Sequence, residues 1–189
     1  MPTQNVTYEK GLPAAVEVEK LVLGSVLIND ATFIQAGGLL RSEDFSIEKH
    51  QRIFTAMREL YERGERIDRI TLANELNRKG LLTDVGGLSY LVSLDDELPV
   101  VFNIDSYVRI VREKSMLRRI IYSSQEIIDR CMKGDEDPGM LLAEAEEGLL
   151  KLGTESQGSE SLKSPRQIIE GYEGGINALL DPSNRISGL

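Results

Sequence analysis

Between Asn103 and Lys133 the chain contains neither proline nor glycine. A run of about 30 residues like this predicts a helix roughly 45 Å long. Its apolar positions are Ile104, Tyr107, Val108, Val111, Leu117, Ile120, Ile121, Ile127, Ile128, Cys131 and Met132. They cover two adjacent seams of the helix and not one narrow stripe. A helix that is apolar on two seams needs more than one neighbour to cover it.

The next segment predicts one such neighbour. Gly134 stops the long helix, Asp137 is placed to cap the next, and Pro138 fits its first turn. Met140, Leu141, Leu142, Ala145, Leu149, Leu150 and Leu152 then recur at helical spacing. So short a link implies an antiparallel helical hairpin over 102–153. Its arms carry opposite charge. Residues 104–133 hold seven basic and four acidic side chains, net +3, while 134–160 hold eight acidic side chains and Lys151, net -7. Exposed pairs add only about 0–1 kcal/mol each. Their use is to favour the right pairing partner, within a chain or between chains.

Upstream, residues 1–101 read as a compact globule of several helices. Pro13 opens the first, with Val16, Leu23, Val26 and Leu27 apolar. Asp30 starts a short second, and Ser46 caps a longer third, whose face is Ile53, Phe54, Met57, Leu60 and Tyr61. Gly64 ends it. Thr71 begins a fourth that stops at Gly80, and Gly86-Gly87 precedes a fifth with Leu88, Leu91, Val92 and Leu94. Downstream, 154–164 is polar and Gly/Ser-rich, the composition of a flexible linker. Residues 165–181 restart helical spacing around three glycines, so this segment needs something to dock against. The fold class is all-α.

The inventory excludes several chemistries. The single histidine, His50, and the single cysteine, Cys131, cannot build a zinc site, a Cys-His pair or a Ser-His-Asp system. His50 is expected to pack or hydrogen-bond near a core edge. No Gly-Lys dipeptide exists, so a phosphate loop for ATP hydrolysis is missing. A net charge of -9 argues against non-specific DNA binding by the chain as a whole. The helix pair at 71–94 is no better placed to read DNA, because Gly87 to Asp96 offers no Lys, Arg, Asn or Gln. With no apolar leader and no run long enough to span a membrane, a cytoplasmic protein is expected.

Four runs in the first half, taken in order, point to a family. They are Leu39-Leu40-Arg41-Ser42-Glu43-Asp44-Phe45, His50-Gln51-Arg52-Ile53-Phe54, Ile67-Asp68-Arg69-Ile70-Thr71-Leu72 and Val85-Gly86-Gly87-Leu88-Ser89-Tyr90-Leu91. Their order and spacing resemble the N-terminal domain of the DnaB-type replicative DNA helicases. Glu17, Glu19 and Val22-Leu23-Gly24 fit the same pattern, as do Ile110-Val111-Arg112-Glu113-Lys114 and Arg118-Arg119. Ala14-Ala15 departs from the usual polar pair. Ile186-Ser187-Gly188-Leu189 resembles the place where the ATP-driven motor begins, so 182–189 is expected to be its threshold.

The resemblance implies a collar: dimers formed through the hairpin, three of them above a ring of six motors, with primase recruited to the outer surface. It implies no cofactor here, with ATP and Mg confined to the motor. It implies a possible loader protein as a further partner, and single-stranded DNA held by the motor, weakly or not at all by this chain. For self-association the expected residues are Ile104, Val108, Val111, Leu117, Ile120, Ile121 and Leu149, at least half of which are expected to close the hairpin within one chain. For primase contact they are Tyr90, Ile121, Ile127, Ile128 and Met132, each of which could equally be ordinary core. For a linker helix docked on a neighbouring motor they are Ile168, Ile169, Tyr172 and Ile176.

Overall fold

The computed structural model describes residues 11–96 and 103–157, with side chains in the second span described to 154. All regular structure among them is helical: α1 (Val16–Ile28), α2 (Thr32–Leu39), a 3-10 turn (Ser42–Asp44), α3 (Glu48–Glu62), α4 (Arg69–Arg78), α5 (Gly87–Ser93), α6 (Ile104–Lys133) and α7 (Pro138–Gln157). Packing divides the chain into two units, 1–145 and 146–189.

The helix ends follow local chemistry. Asp68 caps α4, its carboxylate accepting from the backbone N–H of Ile70 and of Thr71 at 2.9 Å each. Thr71 is therefore the third residue of that helix and completes a capping box, where the sequence suggested it as the start. Gly64, Gly80 and Gly134 adopt φ near +70° just past α3, α4 and α6, a left-handed conformation that lets a helix end abruptly. Asn103 caps α6 through the N–H of Ser106, and Asp137 caps α7 through that of Met140.

Four expectations need correction. Asp30 does not cap α2: Ala31 occupies that position with no side-chain bond, and the helix begins at Thr32. Ser46 does not cap α3: Ile47 occupies that position with no side-chain bond, and Ser46 Oγ is buried without a partner. Its backbone N–H goes instead to Glu19 Oε1 at 2.8 Å. Pro13 does not open α1, which begins at Val16. The polar stretch after Gly153 is not all linker either, because α7 continues to Gln157. The remainder of 154–164, and all of 165–181, lie outside the described residues.

One apolar core holds the first unit together. It draws Val22, Leu23 and Val26 from α1, Phe33 from α2, Ile53, Phe54, Met57 and Leu60 from α3, and Leu72 and Leu76 from α4. Leu91 and Leu94 close it from α5, and Ile104, Val108 and Val111 from α6. The Phe45 and Phe54 rings lie 4.8 Å apart at its centre. Each large apolar side chain so buried contributes roughly 1.5–3 kcal/mol. The long helix is therefore rooted in the globule by its first turns.

Candidate functional site: the two seams of the long helix

The two seams of α6 have different fates. Ile104, Val108 and Val111 are 7%, 1% and 1% exposed, facing the globule. Ser115 and Arg118 continue that line with polar contacts. Ser115 Oγ donates to Asp44 Oδ1 at 2.6 Å, while the buried Arg118 guanidinium donates to the carbonyls of Asp44 at 2.6 Å and Pro13 at 2.8 Å. Asp44 is itself held by the Arg41 N–H at 2.7 Å. One guanidinium thus ties the chain before α1, the 3-10 turn and α6 together.

The adjacent seam is uncovered. Leu117 and Ile120 are 45% and 40% exposed, Ile128 and Met132 50% and 71%, with Ile121 and Ile127 half-buried. Leu117, Ile121, Ile128 and Met132 recur at i, i+4, i+11 and i+15, so they lie along one side of the helix. Met140 and Leu142 at the start of α7 are also exposed. In the second unit, Leu149 and Leu150 are exposed too. The first turns of α7 and the last of α6 leave their own apolar side chains uncovered.

What joins them is polar. Arg130 grips Glu136 through two nitrogens, Nε at 2.9 Å, and reaches Glu144 Oε2 at 2.7 Å. These bonds hold Glu136 below the usual carboxylate range and push Arg130 up. Glu144 is thereby held beside Arg130, near the end of α6.

The expected residues sort unevenly. Ile104, Val108 and Val111, offered for self-association, are buried in the core of their own chain and present no surface. Leu117, Ile120, Ile121 and Leu149 are accessible. Of the primase-contact set, Ile121, Ile127, Ile128 and Met132 lie on α6 beyond the globule. Tyr90 lies on α5, where its hydroxyl is 2.7 Å from His50 Nε2 and Lys49 Nζ stands 3.7 Å from its ring centroid. Ile168, Ile169, Tyr172 and Ile176 lie outside the described residues. Sequence reasoning missed Met140, Leu142 and Leu150 as surface residues, and missed the anchoring role of Arg118. A basic residue in line with Val108 and Val111 on the inner seam was the available signal for the latter.

His50 is wholly buried, deeper than expected, with Nδ1 donating to the buried Glu19 at 2.7 Å. Burial pushes the Glu19 carboxyl up, but the bonds from His50 and Ser46 outweigh it and hold Glu19 below the usual range. Among the described residues no group of three or more His, Cys, Asp or Glu could hold a metal ion, and no helix is long and apolar enough to cross a membrane.

Residues 11–113 match the DnaB-like helicase N terminal domain family. The chain is 33% identical over 177 residues to a replicative DNA helicase DnaB of Geobacillus stearothermophilus, covering 94% of this chain and 39% of that protein. The chain thus spans about two fifths of the length of that relative. Among solved structures, the crystal structure of the N-terminal domain of DnaB helicase from Mycobacterium tuberculosis superimposes with a TM-score of 0.70 at 32% identity, over 74% of this chain and 99% of that one. A DnaB-like replicative helicase whose structure was described with its interactions with primase gives 0.61 at 25% identity, over 78% and 35%. The chain belongs to the family of DnaB-like helicase N-terminal domains.

Proposed function

We propose that this chain is an assembly and recruitment domain of a replicative DNA helicase. Two copies join through the outer seam of α6 and the apolar face of α7, and such dimers build a collar. The observation that carries this reading is that Leu117 and Ile120 stand exposed, and Ile121 half-buried, on a helix whose globule-facing seam is already buried. Exposed apolar side chains of this kind are what a partner interface needs. The charge of the arms supports a second copy as the partner, since +3 on α6 and -7 on 134–160 attract between chains as well as within one.

Primase is the second partner of this reading, met by Ile127, Ile128 and Met132 toward the far end of α6. The support is the structurally similar helicase described with its interactions with primase. Unwinding, with its ATP and Mg, is then work for the motor of the whole protein, and the chain's own part is placement. Titrating primase into the labelled chain tests it. Ile128→Glu is expected to weaken binding at least tenfold with helicity unchanged. Unaltered binding by Ile128→Glu and Met132→Glu would remove primase from this surface.

A further inference from the structure

Three helices meet around one imidazole. His50 of α3 donates from Nδ1 to Glu19 of α1, and its Nε2 lies 2.7 Å from the Tyr90 hydroxyl of α5. His50 and Glu19 are buried, whereas Tyr90 is only partly so. Two protonation states fit this arrangement without moving a heavy atom. With a neutral ring, the Tyr90 hydroxyl donates to Nε2. With a charged ring, Nε2 donates to the phenol oxygen and the hydroxyl proton turns outward. Neither state leaves a buried ring nitrogen unpaired.

We propose that His50 is a proton switch that changes state inside the intact core, and that the Tyr90 hydroxyl between α3 and α5 reorients with it. When the ring is charged, the Tyr90 hydroxyl proton is turned away from Nε2; when it is neutral, that proton is bound there. The charged and titratable groups around the ring set the balance. Glu19 of α1 accepts from the ring, Lys49 of α3 stands above the Tyr90 ring, and Glu17 of α1 acts on the Tyr90 phenol. Phe45 closes another side with a ring edge, 6.4 Å away and nearly perpendicular. Tyr90 remains a phenol throughout, because burial, Glu17 and Glu19 push it up to about 12. The switch stands independently of the assembly role.

The chain's single histidine makes the test direct. The imidazole nitrogens and the Tyr90 Cζ would be followed by NMR in the untagged chain between about pH 5 and 8, where histidine charge ordinarily changes. The expected result is one sigmoidal transition at His50, tracked by Tyr90 Cζ with the same midpoint, while the amide spectrum stays folded. Tyr90→Phe removes the acceptor for the charged ring and is expected to lower its proton affinity about tenfold. Glu19→Gln is expected to act in the same direction. An imidazole signal that never changes in the folded chain overturns the proposal. So does a Tyr90 signal indifferent to His50, and the unmodified chain decides both even where a variant fails to fold.

Discussion

Gly24 of α1 lies against the carbonyl of Leu94, where α5 ends. A Cβ built on Gly24 would come within 2.7 Å of the Leu94 carbonyl carbon, closer still to its oxygen, and 3.2 Å from the Asp95 Cα. The obstacle is backbone, which cannot swing aside as a side chain does. Gly24→Ala is therefore expected to destabilise the globule by about 2–4 kcal/mol, despite alanine's better helix propensity. Gly38, inside α2 with nothing near its missing Cβ, is the control. Gly38→Ala should stabilise by roughly 0.5–1 kcal/mol. Urea denaturation of the two variants distinguishes a packing glycine from a tolerated one.

Arg118 should be the most sensitive charged residue of α6. It is buried, and it satisfies the carbonyls of Pro13 and Asp44, which lie far back in the chain. Arg118→Ala is expected to cost about 3 kcal/mol, since two carbonyls lose a charged donor together. Arg118→Lys should recover only part, because one ammonium cannot reproduce the planar fork. Thermal melts of both variants check the order.

The two cap positions make opposite predictions. Asp68→Ala removes an acceptor used by two backbone N–H groups and should cost about 1 kcal/mol. Ser46→Ala removes a hydroxyl that caps no helix and leaves the Ser46 N–H bond to Glu19 in place, so it should change stability by less than about 0.5 kcal/mol. Equal losses in chemical denaturation would contradict the assignment of Ile47 as the cap of α3.

Acid should unfold the globule partly through Glu19 and Asp68. Bonds from His50 and Ser46 hold Glu19 down against burial, and the Thr71 and Ile70 N–H groups hold Asp68 down. A carboxyl held below its unfolded value stabilises fully above that value. The contribution disappears as pH falls through the lower, folded value. Stability should therefore be level above about pH 5 on this account and decline below it, and Glu19→Gln should flatten the decline. A pH series of melts reads the slope.

Helix boundaries were legible in the sequence wherever one residue decides them. Gly64, Gly80, Gly134 and Asp137-Pro138 stop or start helices by their own conformational limits, and α6 begins and ends as its uninterrupted composition predicts. The two seams of α6 were legible as well, but which seam meets the globule was not. That choice depends on Asp44 and Pro13, more than 70 positions away from Arg118. Distance in the chain also hid the burial of Glu19, a carboxylate on an ordinary-looking amphipathic helix whose partner His50 comes 31 positions later. Ser46 misled for a related reason: its side chain is typical of a cap, but its backbone was already committed to Glu19.

The central claim is that the outer seam of α6 joins copies of this chain, and the mass in solution tests it most directly. Light scattering over a concentration series should give a multiple of the 21.0 kDa chain, falling to the single-chain mass in Ile121→Glu with unchanged helicity. A single-chain mass at every concentration, or an Ile121→Glu and Leu117→Glu pair that assemble like the unmodified chain, would contradict it.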